Sequence, residues 1–185
     1  MTTTATSTEL LQALHDPCAG AWGAFVGRYR PLLEQFGQRC GLGREEARDL
    51  AQTALLEFYR SYREGRYARD RGRLRNWLFG IARHHVGRHR RPNGIMPPVG
   101  RDLDEDLASR WESAWARELL LAALSRVRSE VDPATFEAFE LYALAEVPPR
   151  EVAATLGMSE NAVYGAKRRV LERLRLIRDE LDETY

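Results

Sequence analysis

The sequence predicts an all-α protein built of two small helical domains joined by a flexible linker. Apolar residues recur at the three-and-four spacing of amphipathic helices through most of the 185 residues, and no segment shows the alternation of a strand. Residues 92–108 interrupt this spacing with Pro, Gly and acidic residues, a composition typical of linkers. We therefore predict a three-helix-type bundle over 1–91 and a helix-turn-helix domain over 109–185.

The first two helices of the bundle have clear start signals. Asp16 and Pro17 supply an N-cap and a first-turn proline for the first helix. The second helix follows Gly43, and its apolar positions recur at helical spacing up to Tyr62. The outward polar positions of this second helix include Asp49, Gln52 and Thr53.

The third helix, RNWLFGIARHHVGRHRR over residues 75–91, combines an apolar stripe with a basic face. Residues 21–91 contain 16 Arg and only 7 Asp or Glu, a charge balance that favours a polyanionic ligand. One face of the helix should pack into a core and the other should face an anion. The stripe consists of Leu74, Trp77, Leu78, Ile81, Ala82 and His85, and the opposite side includes Asn76, Arg83 and Arg90.

Two helices precede the C-terminal motif. Ser109 and Glu112 have the spacing of a capping box at the start of a fourth helix. Asp132 and Pro133 then form the start signal of a fifth helix.

The segment PREVAATLGMSENAVYGAKRRV predicts a helix-turn-helix. Ala153 is small where the two helices cross, and Gly157 suits a left-handed turn. Ser159 can cap the second helix, and Val163 can lock it inward. The alternative is an ordinary helical hairpin with a solvated basic face. The candidate DNA contacts of the motif are Ser159, Asn161, Tyr164, Lys167 and Arg168.

Several other classes of protein have little support. The N-terminus lacks a signal-peptide pattern and the apolar run 119–124 is too short to cross a bilayer, so we expect no membrane insertion and a cytoplasmic location. Cys18 and Cys40 lack CxxC spacing, so no zinc site or disulfide framework is predicted. Because no nucleotide-binding loop, paired-carboxylate site or nucleophile motif is present, we predict no enzymatic activity, cofactor or metal.

Three segments in order carry a resemblance to a known family: ARDLAQTALLEFYRSY, RLRNWLFGIARHHVGRHRR and REVAATLGMSENAVYGAKRRVLERLR. Together they resemble a bacterial RNA polymerase sigma factor of the small, two-domain extracytoplasmic-function (ECF) type. The resemblance covers nearly all of residues 20–178 and includes a DLxQ element and a WLxxIA element. It implies a protein that binds core RNA polymerase and directs promoter recognition, DNA melting and transcription initiation.

The resemblance also implies roles for individual residues. The second helix would dock on the clamp helices of the polymerase largest subunit through Asp49, Gln52 and Thr53. The loop after it and the basic third helix would bind the promoter hexamer nearest the start site and hold its non-template strand open. The implied DNA contacts of this domain are Tyr67, Arg69, Arg75, Asn76, Arg83, His84, Arg88, Arg90 and Arg91.

Stacking of unpaired bases needs accessible aromatic rings. Tyr67 and Phe79 are the candidates off the buried stripe, although Phe79 could equally pack against a neighbouring helix. Trp77 falls within the stripe and is expected in the core. The glycines Gly80 and Gly87 share the basic face, where a missing side chain allows close approach of another backbone.

The sequence departs from the family pattern at four positions that bear on promoter choice. His84 stands where relatives often have Asn, and Arg88 where they often have Asp. Tyr164 and Ala166 replace residues that are frequently basic or small and polar. The promoter sequence therefore cannot be carried over from the family. An anti-sigma factor is left open as a further partner, as is passage of the linker through the RNA-exit path.

Two other functions compete with this interpretation. A conventional helix-turn-helix regulator would bind duplex DNA as a dimer without polymerase. A metalloenzyme would use His85 and His89, which have the i,i+4 spacing of a shared zinc site. The second is disfavoured because no third ligand is evident and His85 falls on the buried stripe.

Overall fold

The computed structural model describes residues 7–14, 20–67, 73–89 and 101–184, and none of these residues lies in a strand. The predicted all-α class is confirmed. None of the described helices is long and apolar enough to span a lipid bilayer. The α-helices are α1 Ser7–Ala13, α2 Ala21–Arg39, α3 Arg44–Arg63, α4 Leu74–His89, α5 Arg101–Glu130, α6 Pro133–Phe139, α7 Pro149–Leu156 and α8 Glu160–Thr184, and a π-helical turn, Glu140–Leu144, follows α6.

The chain divides into two compact units, and α5 contributes residues to both. The N-terminal unit extends to Glu118 and the C-terminal unit runs from Leu119 to Glu183. The N-terminal unit contains α1 to α4 and the first part of α5. The C-terminal unit contains the rest of α5, then α6, the π-helical turn, α7 and α8.

The predicted linker over 92–108 is wrong in its second half. Residues 92–100 lie outside the described residues, but α5 begins at Arg101 and not near Ser109. Leu107 is buried together with Trp111 and Trp115, at the i, i+4, i+8 spacing of one helical face. The acidic run around Leu107 hid the first member of this stripe, so the segment looked aperiodic in the sequence.

The core of the N-terminal unit lies where α2 packs on α3. The rings of Phe25 and Phe58 stack with centroids 4.8 Å apart, and both side chains are fully buried. Gly37 lets the two helices approach closely, since a Cβ atom there would lie 3.1 Å from the Cβ of Ala47. The predicted start signal of the first helix at Asp16 and Pro17 lies outside the described residues, and α2 itself begins at Ala21.

The first part of α5 adds to this core through its contact with Phe36 of α2. Trp111 is 2% exposed, and its ring meets Phe36 edge-on at 5.3 Å. Because Phe36 is itself fully buried, α5 is part of the packing of the N-terminal unit. This contact brings the acidic residues of α5 close to the basic helix α4.

The helix pair α7–α8 forms as the sequence predicts. Gly157 takes the left-handed conformation with φ of 64°, and the Ser159 hydroxyl oxygen accepts a hydrogen bond from the backbone N–H of Ala162 at 3.2 Å. Val163 is fully buried and Ala153 is 8% exposed. The buried cluster that joins the two helices to α6 consists of Ala138, Val152, Ala153, Val163 and Ala166.

An ion-pair network attaches α8 to the end of α5 within the C-terminal unit. One carboxylate oxygen of Glu130 accepts a hydrogen bond from Arg173 at 2.6 Å, and the other accepts one from Arg126 at 2.9 Å. The hydrogen bond from Arg173, with that from Arg126, lowers the pKa of Glu130 below its ordinary value, despite opposition from partial burial. The fold therefore favours the ionised form of this carboxylate.

Candidate nucleic-acid interface

The outward face of α3 presents the three residues predicted to contact a protein partner. Asp49, Gln52 and Thr53 are all exposed, and their i, i+3, i+4 spacing places them on one side of the helix. The opposite side, which includes Leu50 and Phe58, is buried in the unit. The face is therefore available for binding, and the core holds its backbone in place.

Leu56 extends this face and was missed by the sequence analysis. Its side chain is 41% exposed, and it lies four residues after Gln52, one helical turn along the same side. The buried stripe includes its neighbour Leu55, so the pair of leucines looked like core. A shallow groove beside Leu56 is lined by Thr53, Leu56, Glu57, Arg60 and Arg66.

The basic face of α4 is formed in part as predicted. Asn76, Arg83, His84 and Arg88 are exposed, whereas Arg75 is half-buried, with 17% of its side chain exposed. The helix core stripe is also as predicted for Leu74, Leu78, Ile81 and Ala82, with Val86 as an additional buried residue. Three predicted contacts, Arg69, Arg90 and Arg91, lie outside the described residues.

Two arginines of this face are paired with acidic residues of α5. Arg83 donates a hydrogen bond to Asp104 at 2.8 Å. Arg75 forms an ion pair with Glu112, and its guanidinium carbon lies 4.8 Å from the centroid of the Trp115 ring. These cations therefore already have carboxylate partners within the N-terminal unit. Neither pairing was predicted, because Asp104 was interpreted as part of the linker and Glu112 as part of the C-terminal domain.

The structure corrects the prediction that Tyr67 offers an accessible ring. Tyr67 is 8% exposed and meets Trp77 edge-on at 5.7 Å and Phe58 at 5.8 Å. The chain turns back after α3, and this turn places the ring over the end of the bundle core. A ring packed in this way has no open face for a base.

Phe79 packs against neighbouring helices, which is the alternative left open by the sequence. Its half-buried ring lies 5.5 Å from Trp111 and 6.1 Å from Phe36. Both partners are core residues, so Phe79 belongs to the contact between α4 and the bundle. The basic face of α4 thus presents arginine, asparagine and histidine side chains without a free aromatic ring among its described residues.

His85 has a carboxylate partner, whereas the side chain of His89 lies outside what the structure describes. His85 is half-buried, and its Nε2 forms a hydrogen bond with Oε2 of Glu57 at 2.7 Å. No group of three or more His, Cys, Asp or Glu side chains in the described ranges is placed to hold a metal ion. His85 therefore has the satisfied, largely buried environment expected for a structural histidine.

The start of α8 carries the candidate contacts of the C-terminal unit. Asn161, Tyr164 and Arg168 are exposed, and Lys167 is half-buried. Ser159 uses its hydroxyl oxygen to cap the helix. The aromatic ring of Tyr142, which the sequence analysis did not single out, contacts both Tyr164 and Lys167. No motif could reveal this residue, since its position depends on the π-helical turn.

Comparison with protein families gives a match over the N-terminal unit. Residues 25–94 match Sigma-70 region 2, a segment that includes most of α2 and all of α3 and α4. No curated protein matches the chain. Sigma-70 region 2 belongs to a family of transcription proteins that is not an enzyme family. Residues 25–94 are therefore similar to a sigma-70 region 2 domain, and this similarity covers α3, α4 and most of α2.

Proposed function

We propose that this protein is an ECF-type sigma factor that binds core RNA polymerase and directs promoter recognition, DNA melting and transcription initiation. The observation that carries the proposal is the sigma-70 region 2 match over residues 25–94. The proposed partners are core polymerase, promoter DNA and, by analogy with the family, an anti-sigma factor. We place the protein in the cytoplasm, where the bacterial polymerase acts.

The proposed polymerase contact is the exposed face of α3. Asp49, Gln52 and Thr53 offer a carboxylate, an amide and a hydroxyl on a helix that is fixed by its buried side. Leu56 adds apolar surface, which protein interfaces bury at their centre. The clamp helices of the polymerase largest subunit are the proposed partner of this face.

The proposed contact with the promoter hexamer nearest the start site is the basic face of α4. Arginines bind phosphates through a planar fork of donors, and α4 presents Arg83 and Arg88 on its exposed side. Asn76 and His84 add groups that can hydrogen-bond to base edges. Gly80 has open space where a Cβ would be, which suits a close approach of the DNA backbone.

The proposed contact with the distal promoter hexamer is the start of α8. A helix-turn-helix places the N-terminal residues of its second helix against base edges in the major groove. Asn161, Tyr164 and Lys167 are proposed to read bases, and Arg168 to bind phosphate. The side chain of Arg168 is 77% exposed and can therefore reach the DNA backbone.

Reconstitution with purified core polymerase tests the function. The protein and the core enzyme are incubated with a genomic library, and the transcript starts are mapped. We expect initiation at a defined set of starts that depends on this protein. Unchanged starts, or failure to join the core enzyme, would contradict the proposal. Sequence-specific duplex binding without polymerase would favour the alternative of a conventional helix-turn-helix regulator.

A double variant tests the docking face. Asp49→Ala with Gln52→Ala should weaken association with core polymerase by about tenfold, if the pair contributes roughly 1.4 kcal/mol. The control is Glu105→Ala with Gln38→Ala, which removes one carboxylate and one amide from exposed positions outside α3. Thermal unfolding should be the same for both variants. Equal polymerase affinity of the two variants would reject this face as the docking site.

A further inference from the structure

The helix before the α7–α8 pair widens into a π-helical turn. The backbone N–H of Ala145 donates to the carbonyl of Glu140 at 2.9 Å, five residues back instead of four. The N–H of Val147 donates to the carbonyl of Leu141, six residues back, at 2.9 Å and closes the turn. Tyr142 lies in this turn, where its half-buried side chain packs against the cluster that joins α6, α7 and α8.

The ring of Tyr142 contacts two candidate DNA-binding residues of α8. Nζ of Lys167 lies over the ring, 4.9 Å from its centroid. The ring of Tyr164 meets that of Tyr142 at 85° with centroids 5.5 Å apart. Tyr164 remains 47% exposed, so its contact with Tyr142 leaves surface for a ligand.

Both contacts have the geometry of favourable aromatic interactions. The negative face of an aromatic ring attracts an ammonium group within about 6 Å of the centroid. Two rings at nearly a right angle bring the positive edge of one toward the negative face of the other. One side chain, Tyr142, therefore restrains the conformations of Tyr164 and Lys167.

The neighbouring cation Arg168 lacks such a restraint. Among the described residues, Arg168 forms one loose ion pair, with Glu172 on the same helix at 3.9 Å, and its side chain is 77% exposed. A flexible cation of this kind suits a phosphate, whose position varies little with sequence. A restrained lysine loses less conformational freedom when it binds a single base edge.

We propose that Tyr142 is a positioning residue for promoter sequence recognition, because it holds Tyr164 and Lys167 in the orientation in which α8 reads the distal hexamer. The inference rests on the proposed function and adds a residue that does not itself contact DNA. It predicts that removal of the ring relaxes base preference at the positions read by these two side chains, and leaves the phosphate contacts unchanged.

Initiation on a library of distal hexamers, with purified core polymerase, tests the proposal. Tyr142→Leu keeps an apolar side chain but removes the ring, and Tyr142→Phe keeps the ring. We expect Tyr142→Leu to lose about two- to fivefold of the base discrimination, the range that corresponds to one cation–π contact at an exposed site. Tyr142→Phe should retain the wild-type preferences. An equal loss of initiation on all hexamers would show a merely structural role and overturn the proposal.

The double variant Lys167→Ala with Tyr164→Ala separates positioning from stability. If Tyr142 acts through Lys167 and Tyr164, then Tyr142→Leu should have no further effect in the variant that carries Lys167→Ala and Tyr164→Ala. An effect of the same size in that background would contradict the proposal. Absence of any specific initiation by the wild type would instead reject the sigma function itself.

The contact can also be measured without polymerase, which matters if Tyr142→Leu does not fold. Lys167 is the only lysine in the chain, so lysine-selective ¹³C labelling gives a single side-chain spin system in NMR spectra. Protons above an aromatic ring shift upfield, and we expect such a shift for the Lys167 methylene protons in the wild type and in Tyr142→Phe. A random-coil position in the wild type would overturn the inference directly.

Discussion

Asp104 of α5 accepts a hydrogen bond from Arg83 of α4 at 2.8 Å, and it thereby places a carboxylate on the face proposed to bind promoter DNA. The side chains are 37% and 46% exposed, so the pair is open to solvent and to competing anions. A DNA phosphate that binds Arg83 competes with this carboxylate for the guanidinium group. The pair should therefore lower the affinity of the free protein for DNA.

Neutralisation of Asp104 is expected to strengthen binding of single-stranded DNA. Exposed ion pairs are worth about 0.2–1 kcal/mol, so Asp104→Asn should raise affinity up to about fivefold at low salt. The control is Asp106→Asn, which changes the net charge equally but removes a partner of Arg110 on α5 itself. Fluorescence anisotropy with a labelled oligonucleotide gives both affinities.

The salt dependence of the same measurement checks the cause. Because Arg83 is available to a phosphate in Asp104→Asn, this variant should show a steeper decline of affinity with salt than Asp106→Asn. Identical affinities and salt slopes for the two variants would mean that the Arg83–Asp104 pair does not compete with DNA.

Leu56 is expected to contribute to polymerase binding and little to stability. Leu56→Ser should lower affinity for core polymerase by about fivefold, equivalent to about 1 kcal/mol, because it removes apolar surface from the proposed interface. Its free energy of unfolding should change by less than about 0.5 kcal/mol, since the side chain is 41% exposed.

Leu176→Ser is the matched control for this variant. Leu176 is 57% exposed on α8, outside the proposed docking face. It should bind core polymerase like the wild type. If the two serine variants bind equally well, Leu56 does not belong to the interface.

Helical periodicity predicted most of the fold because each helix has one buried side. Leu74, Leu78 and Ala82 lie in the core as their spacing indicates. Turn chemistry was equally informative at Gly157 and Ser159, where local conformation alone determines the residue type. The segment around Leu107 was interpreted as linker because it contains few apolar residues. The helical spacing of Leu107 becomes visible only when it is counted together with Trp111 and Trp115, and the three side chains are buried.

The candidate site was predicted less completely than the fold. Exposed positions on α3 and α4 follow from periodicity, but the partners of Arg75 and Arg83 come from α5, which is distant in sequence. Tyr67 and Tyr142 show the same limit. Their accessibility depends on a chain reversal and on a π-helical turn, and neither has a reliable sequence signal.

The C-terminal unit should lose stability in acid through Glu130. Because the folded-state pKa of Glu130 is lowered by Arg173 and Arg126, its stabilisation is fully present above the unfolded pKa of about 4.3 and is lost as pH falls through the lower folded value. At pH 7, Glu130→Gln should be less stable than the wild type by up to about 1 kcal/mol. This difference should shrink as the pH is lowered from about 5 to about 3.

Urea unfolding at several pH values gives the difference directly. Glu137→Gln is the control, since Glu137 is exposed on α6 and has no ion pair within the described part of the chain. Its stability relative to the wild type should vary less with pH. A Glu130→Gln difference that stays constant between pH 7 and pH 3 would argue against the ionic origin.

Gly37 and Gly27 of α2 should respond in opposite ways to alanine. A Cβ at Gly37 would lie 3.1 Å from the Cβ of Ala47 and 3.3 Å from Cδ2 of Leu50, so α3 would have to move away. Overpacking of this kind costs about 1–3 kcal/mol, which exceeds the gain of up to about 1 kcal/mol in helix propensity. At Gly27 the added Cβ has no heavy atom within 4 Å among the described residues, apart from its chain neighbours and the adjacent backbone of α2, so only the gain in propensity remains. Thermal and urea unfolding should therefore show Gly37→Ala destabilised by about 1 kcal/mol and Gly27→Ala stabilised by about 0.5 kcal/mol.

Two variants of equal stability would mean that α2 and α3 are not in close contact at Gly37, and the packing that holds the docking face of α3 would need revision.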